Sequence, residues 1–135
     1  MSQAVTRAGA RFSLIETSTL SVRLGREIGD RIAAMPVNER PDGVFGGNDE
    51  VALGILQSLI HHGTSVPGDI AIVGYDDIDF SAAAIVPLTS ISQPSLEMGR
   101  SAARLLLSAL ADPSQELSSV RYEPTLIQRR STRVP

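Results

Sequence analysis

The segment from Pro41 to Pro94 reads PDGVFGGNDEVALGILQSLIHHGTSVPGDIAIVGYDDIDFSAAAIVPLTSISQP, and three short apolar runs within it each end at a hydrogen-bonding side chain. Val44 to Gly47 runs into Asn48, Ile70 to Gly74 runs through Tyr75 into Asp76, and Leu88 to Ser92 runs into Gln93. Strands that alternate with helix-length amphipathic stretches build a parallel sheet. The three polar tips then share one edge, and open α/β sheets bind ligands outside the carboxyl ends of their strands. An amide, a carboxylate and a second amide on that edge suit a small, hydroxyl-rich ligand.

The wording of the three runs, PDGVFGGNDEVALGIL, DIAIVGYDDI and PLTSISQPSLEMGRSAARLLL, resembles the C-terminal part of the LacI/GalR family of bacterial transcription regulators. Order and separation match as well, and a weaker similarity extends from about Phe12 to Thr132. The resemblance implies a three-layer α/β sandwich with a parallel sheet, of the periplasmic-binding-protein-like type I, present in part. It places a C-terminal lobe at 11–87 and 120–135, and a crossover with one N-terminal-lobe helix at 88–112, after a frayed stretch at 1–10. The helix-turn-helix headpiece and most of the N-terminal lobe are expected outside these 135 residues.

By the same resemblance, Asn48, Asp76 and Gln93 stand where family members contact a sugar or nucleobase effector, and Leu20 where many relatives place an aromatic ring. Leu53, Phe80, Ala84 and Ile85 fall in the region that forms part of a homodimer interface in such proteins. The implied partners are a small-molecule effector, a second copy of the chain, and DNA through the headpiece alone. No cofactor is implied, and the implied location is the cytoplasm. The alternative is a sugar-binding protein of the same fold that serves a transporter; the absence of an apolar leader in MSQAVTRAGARF argues against export.

Composition agrees with a ligand-binding domain that does not itself touch DNA. The net charge is −3, with no basic surface to gather phosphates, and all 12 basic residues are arginine. Without cysteine there is neither a disulfide nor a thiolate metal site. Aromatics make up only 4% and tryptophan is absent, so the core must be aliphatic. No phosphate loop, no GxSxG elbow and no Cys/His pair appears, which ranks a hydrolase or kinase last.

Along the chain, Arg11 to Thr17 reads as a strand, and Val22 to Met35 as a helix with Leu24, Ile28, Ile32 and Met35 on one stripe. Gly25 and Gly29 lie on that side and are expected to let the helix approach the sheet. Asn48 or Asp49 caps the next helix, whose buried stripe is Ala52, Ile55, Leu56, Leu59 and Ile60; the resemblance favours ligand contact for Asn48 and capping for Asp49. His61 and His62 diverge on the helix and read as surface residues, so no metal site is expected. Of the Asp76-Asp77 pair, one carboxylate suffices for vicinal hydroxyls, and Asp77 is expected to cap the turn near Ile78. Phe80 to Val86 reads as an exposed apolar patch, Ser95 to Leu110 as the strongest helix, and Val120 to Gln128 as an edge strand before a loose end.

Overall fold

The computed structural model describes residues 2–115 and 118–132. Its helices are α1 (Ser2–Arg7), α2 (Val22–Ala33), α3 (Asp49–His61), α4 (Asp79–Ala83) and α5 (Ser95–Ala111). The strands are β1 (Gly43–Phe45), β2 (Ala71–Tyr75), β3 (Thr89–Ser92) and β4 (Thr125–Ile127). They form one sheet in the order β1-β2-β3-β4. The first three are parallel, with Val44 opposite Ile72 and Val73 opposite Thr89, and β4 runs antiparallel to β3 with Ser90 opposite Ile127. The expected α/β class with a parallel sheet is the one that forms, and of the edge strand expected over residues 120–128 only Thr125–Ile127 forms, as β4.

The core is aliphatic and centres on α3. Ala52, Ile55, Leu56 and Leu59 are almost fully buried, together with Ile70 and Ile72 of the second run and Leu88 of the third. Each large member contributes about 1.5–3 kcal/mol by leaving water. Helix α3 lies on the Ile72 and Gly74 face of β2, whereas Ala71, Val73 and Tyr75 on the opposite face are half-buried.

Helix α2 lies on α3, not on the sheet. A Cβ at Gly25 would collide with the carbonyl oxygen of Val51, and one at Gly54 with that of Val22. The two glycines face each other, so the backbones meet with nothing between them. The close approach expected of Gly25 and Gly29 is therefore real, but its partner is a helix: Gly29 sits against Ser58 and the Ile55 carbonyl. Ser21 caps α2 by accepting from the Leu24 amide at 3.3 Å. At the other end of α3, Gly63 takes φ +75° and the Gly63 and Thr64 amides close the last turn on the Ile60 and Leu59 carbonyls.

Two expectations need correction, at residues 11–17 and after Gln128. Residues 11–17 form no strand, and Phe12, Leu14 and Ile15 are exposed. The N-terminal stretch, expected to be frayed or to be the remnant of a helix, carries α1. Helix α5 forms as expected, and its line of Leu96, Leu106 and Leu110 is bare, at 66%, 61% and 69% exposed. Only Ser101 on this helix is buried. The end expected to be loose after Gln128 is instead fastened, by the Arg129–Asp77 pair and by the buried Ser131; its residues 133–135 lie outside the described residues.

The opposite, amino edge of the sheet is closed by Ser131, which is fully buried. Its hydroxyl donates to the Ile72 carbonyl at 2.6 Å and accepts from the Thr89 amide at 2.8 Å. Its own carbonyl accepts from the Ile72 amide at 2.8 Å, and its amide donates to the Pro87 carbonyl at 3.0 Å. One serine thus satisfies backbone groups at the starts of two neighbouring strands.

Candidate functional site

Because β1, β2 and β3 are neighbours and parallel, the residues that follow them meet on one edge. Asp76 follows β2 directly and Gln93 follows β3 directly. Gln93 Nε2 donates to Asp76 Oδ1 at 2.9 Å, and the Tyr75 hydroxyl donates to Gln93 Oε1 at 3.4 Å. A carboxylate and a carboxamide are thereby oriented together at the carboxyl edge, with Asp76 exposed and Gln93 half-buried.

Asn48 ends the β1 turn, and it is the cap of α3: its Oδ1 accepts from the Val51 amide at 3.0 Å. Capping uses only the oxygen, and the Nδ2 group makes no hydrogen bond among the described residues, so it is left to donate to a ligand. Leu20 lies over the same turn, its Cδ2 3.3 Å from where a Cβ on Gly47 would stand, and is half exposed at 51%. The structure thus joins Asp76 to Gln93 by a direct bond. It sets Asn48 and Leu20 at the adjacent strand end without a bond to either.

Asp49 is not the cap that was expected. It is fully buried, and its Oδ1 accepts from the Ser90 hydroxyl at 2.5 Å. Its Oδ2 accepts from the Ser81 hydroxyl at 2.5 Å and from the Ile78 amide at 2.9 Å. Both hydroxyl groups are themselves buried. Nothing in the sequence separates this role from capping, because its partners lie 29, 32 and 41 residues away. One feature does correlate with it: Gly74 faces the carboxylate, and a Cβ there would strike Asp49 Oδ1.

Asp77 does not cap α4 either. Its carboxylate pairs with Arg129 Nη2 at 2.7 Å, with both side chains 19% exposed. Arg129 Nη1 also donates to the Leu88 carbonyl at 2.9 Å. The cap position of α4 is Ile78, and its amide is held by Asp49. Asp76 and Asp77 both have positive φ, 106° and 54°. Such residues cost roughly 1 kcal/mol or more each and persist where surrounding contacts fix them.

The histidines behave as surface groups. His62 Nε2 lies 3.0 Å from Asp30 Oδ1, which also accepts from the Ser58 hydroxyl at 2.6 Å. These contacts hold the Asp30 carboxyl below its usual range, the Ser58 hydroxyl first and His62 second. Among the described residues no three histidines, cysteines or carboxylates are grouped to hold a metal. Of the residues expected at a subunit interface, Leu53 is in the core at 9% exposure and Ala84 packs half-buried against it. Phe80 and Ile85 are 75% and 82% exposed. A cavity of about 630 Å³ opens elsewhere, along α5, lined by Glu97, Arg100, Ala103, Arg104 and Tyr122. None of the expected ligand residues lines it.

Sheet order, edge position and the polar pair define an α/β ligand-binding unit of the periplasmic-binding-protein type. A periplasmic binding protein-like domain model matches residues 1–132. The ribose operon repressor of Bacillus subtilis (strain 168) is 34% identical over 128 residues, 94% of this chain and 38% of the repressor. The HTH-type transcriptional repressor PurR of Aliivibrio fischeri is 36% identical over 102 residues, 76% of this chain and 30% of its own. Among solved structures, a LacI family regulator from Lactobacillus casei with bound glucose superposes with a TM-score of 0.81 at 31% identity, covering 96% of this chain and 47% of that one. The chain belongs to the periplasmic binding protein-like domain family, as an effector-binding domain of the LacI type. It spans well under half the length of the two repressors it matches.

Proposed function

We propose that this domain binds a small sugar through Asp76 and Gln93 and that the whole protein is a transcription regulator responding to that sugar. The observation that carries the reading is the Gln93–Asp76 bond, which places a carboxylate and an amide side by side beyond the ends of two parallel strands. The carboxylate can accept from two vicinal hydroxyls, and the amide can do the same work from the neighbouring strand. The Nδ2 of Asn48 adds a donor, and Leu20 offers an aliphatic surface to the ring. The similarity to a ribose operon repressor and to a glucose-bound regulator supports a sugar. That its reported relatives are repressors weighs against a transporter component and against an enzyme. Among the described residues no helix is long and apolar enough to cross a membrane. In this reading the sugar favours one arrangement of the domain, and a coupling of about 1–3 kcal/mol alters the affinity of a DNA-binding region elsewhere in the protein.

The test is calorimetric titration of the whole protein with ribose, arabinose, glucose and cellobiose. One of them is expected to bind, and Asp76→Ala to weaken it by about a hundredfold, since the loss leaves the sugar hydroxyls and Gln93 unpaired. Binding by none of the four, or unchanged affinity in Asp76→Ala, overturns the reading.

The exposed Phe80 and Ile85 support association of two copies through the segment that includes α4, because large apolar side chains this accessible are costly to leave wet. Phe80→Asp is expected to shift sedimentation from dimer to monomer at about micromolar concentration. A wild-type protein that sediments as a monomer, or a variant that remains a dimer, removes this face as the interface.

A further inference from the structure

We propose that Asp49 is a positioning residue for the ligand site: its buried carboxylate holds the Asp76–Ile78 loop in the conformation that points Asp76 at Gln93. The functional half of this inference rests on the sugar-site reading above; the structural half does not. The loop needs an external constraint, since two successive non-glycine residues with positive φ will not keep that geometry unaided. Four contacts supply it. The Asp76 amide donates to the Ile91 carbonyl at 2.9 Å, and the Asp77 amide donates to the Ser90 hydroxyl at 3.1 Å. The Asp77 carboxylate is paired with Arg129, and the Ile78 amide donates to Asp49 Oδ2.

Asp49 acts on two of these. It holds Ile78 directly, and by accepting the Ser90 proton it turns that hydroxyl's lone pairs towards the Asp77 amide. Its third partner, Ser81, anchors the first turn after the loop. The carboxylate therefore links the start of α3, the β2 loop and β3 within one buried network, next to the helix cap Asn48. A carboxylate suits this position because all three partners donate to it; a carboxamide would keep one acceptor oxygen and force a serine hydroxyl to reverse and accept from its NH₂ group.

The experiment is hydrogen exchange with mass spectrometry on the whole protein, alongside the sugar titration. In Asp49→Asn the amides of 76–78 are expected to exchange about tenfold faster while those of 52–60 in α3 keep their protection, and sugar affinity is expected to fall by a comparable factor. Ser81→Ala is expected to do the same to a smaller extent, and it covers the case in which Asp49→Asn does not fold. Asp79→Asn, on the exposed side of the same turn, should change neither readout. Unchanged exchange at 76–78 in both Asp49→Asn and Ser81→Ala overturns the proposal. So does an equal rise in 52–60, which would make Asp49 a general stabiliser. If the loop loosens with sugar affinity unchanged, Asp49 positions the loop but not a binding group. If the wild type binds no sugar, the site reading fails while the exchange result still decides the role of Asp49.

Discussion

Gly54→Ala is expected to lower the unfolding free energy by about 3 kcal/mol or more, although helix propensity alone would make it stabilising by about 1 kcal/mol. The new methyl would stand on the Val22 carbonyl oxygen and 2.9 Å from both Gly25 Cα and the Arg26 amide nitrogen. These are backbone atoms, so no rotamer change relieves the clash. The helices must separate, and doing so uncovers Ile28 and Ile32, which α3 now buries. The steric effect therefore exceeds the propensity gain and sets the sign. Gly99→Ala supplies the contrast: it lies in α5 with nothing within 4 Å of the added carbon, and it should gain about 0.5–1 kcal/mol. Urea denaturation of the two variants decides between the accounts. A midpoint that rises in both would show that α2 and α3 do not touch along this line.

Gly74→Ala should be comparably damaging for a different reason, with a loss of about 2–4 kcal/mol. In β2 the added Cβ would strike Asp49 Oδ1 and lie 2.9 Å from Leu88 Cδ2. Leu88 can shift only into a filled core, so the carboxylate has to leave Ser90 and lose a buried hydrogen bond. Thermal melting of Gly74→Ala and of Gly74→Ala with Asp49→Ser measures this. The double variant should recover part of the loss, because the smaller side chain vacates the space and leaves fewer buried polar atoms unpaired. Simple additivity of the two substitutions would place the clash elsewhere.

The parts of the fold legible in the sequence were those written in local periodicity. The three apolar runs became three parallel strands, and the Ala52, Ile55, Leu56, Leu59 stripe became the core because a helix laid on a sheet must bury one face. The edge position of Asp76 and Gln93 followed from strand direction alone. What could not be read was anything set by residues far apart in the chain. Asn48 and Asp49 are both good caps by type, and only the meeting of Ser81, Ser90 and Ile78 around the second shows why it is buried. Asp77 likewise meets Arg129 across 52 residues of sequence. The apolar spacing along α5 and the apolar middle of 11–17 were correct as patterns. A pattern, however, states which face needs cover and not what covers it.

The Ser131 closure has a consequence for the order of events during synthesis. Ile72 and Ser131 are 59 residues apart, so the starts of β2 and β3 stay unsealed until nearly all of this sequence has been made. The loop carrying Asp76 and its contacts to Asp49 and Ser90 involve residues 49–93 only, and these emerge much earlier. The carboxyl edge can therefore begin to order before the Asp77–Arg129 pair forms, while the opposite edge still exposes backbone donors and acceptors. For that interval the growing chain presents two open strand starts, the kind of edge that chaperones shield and neighbouring chains can pair with.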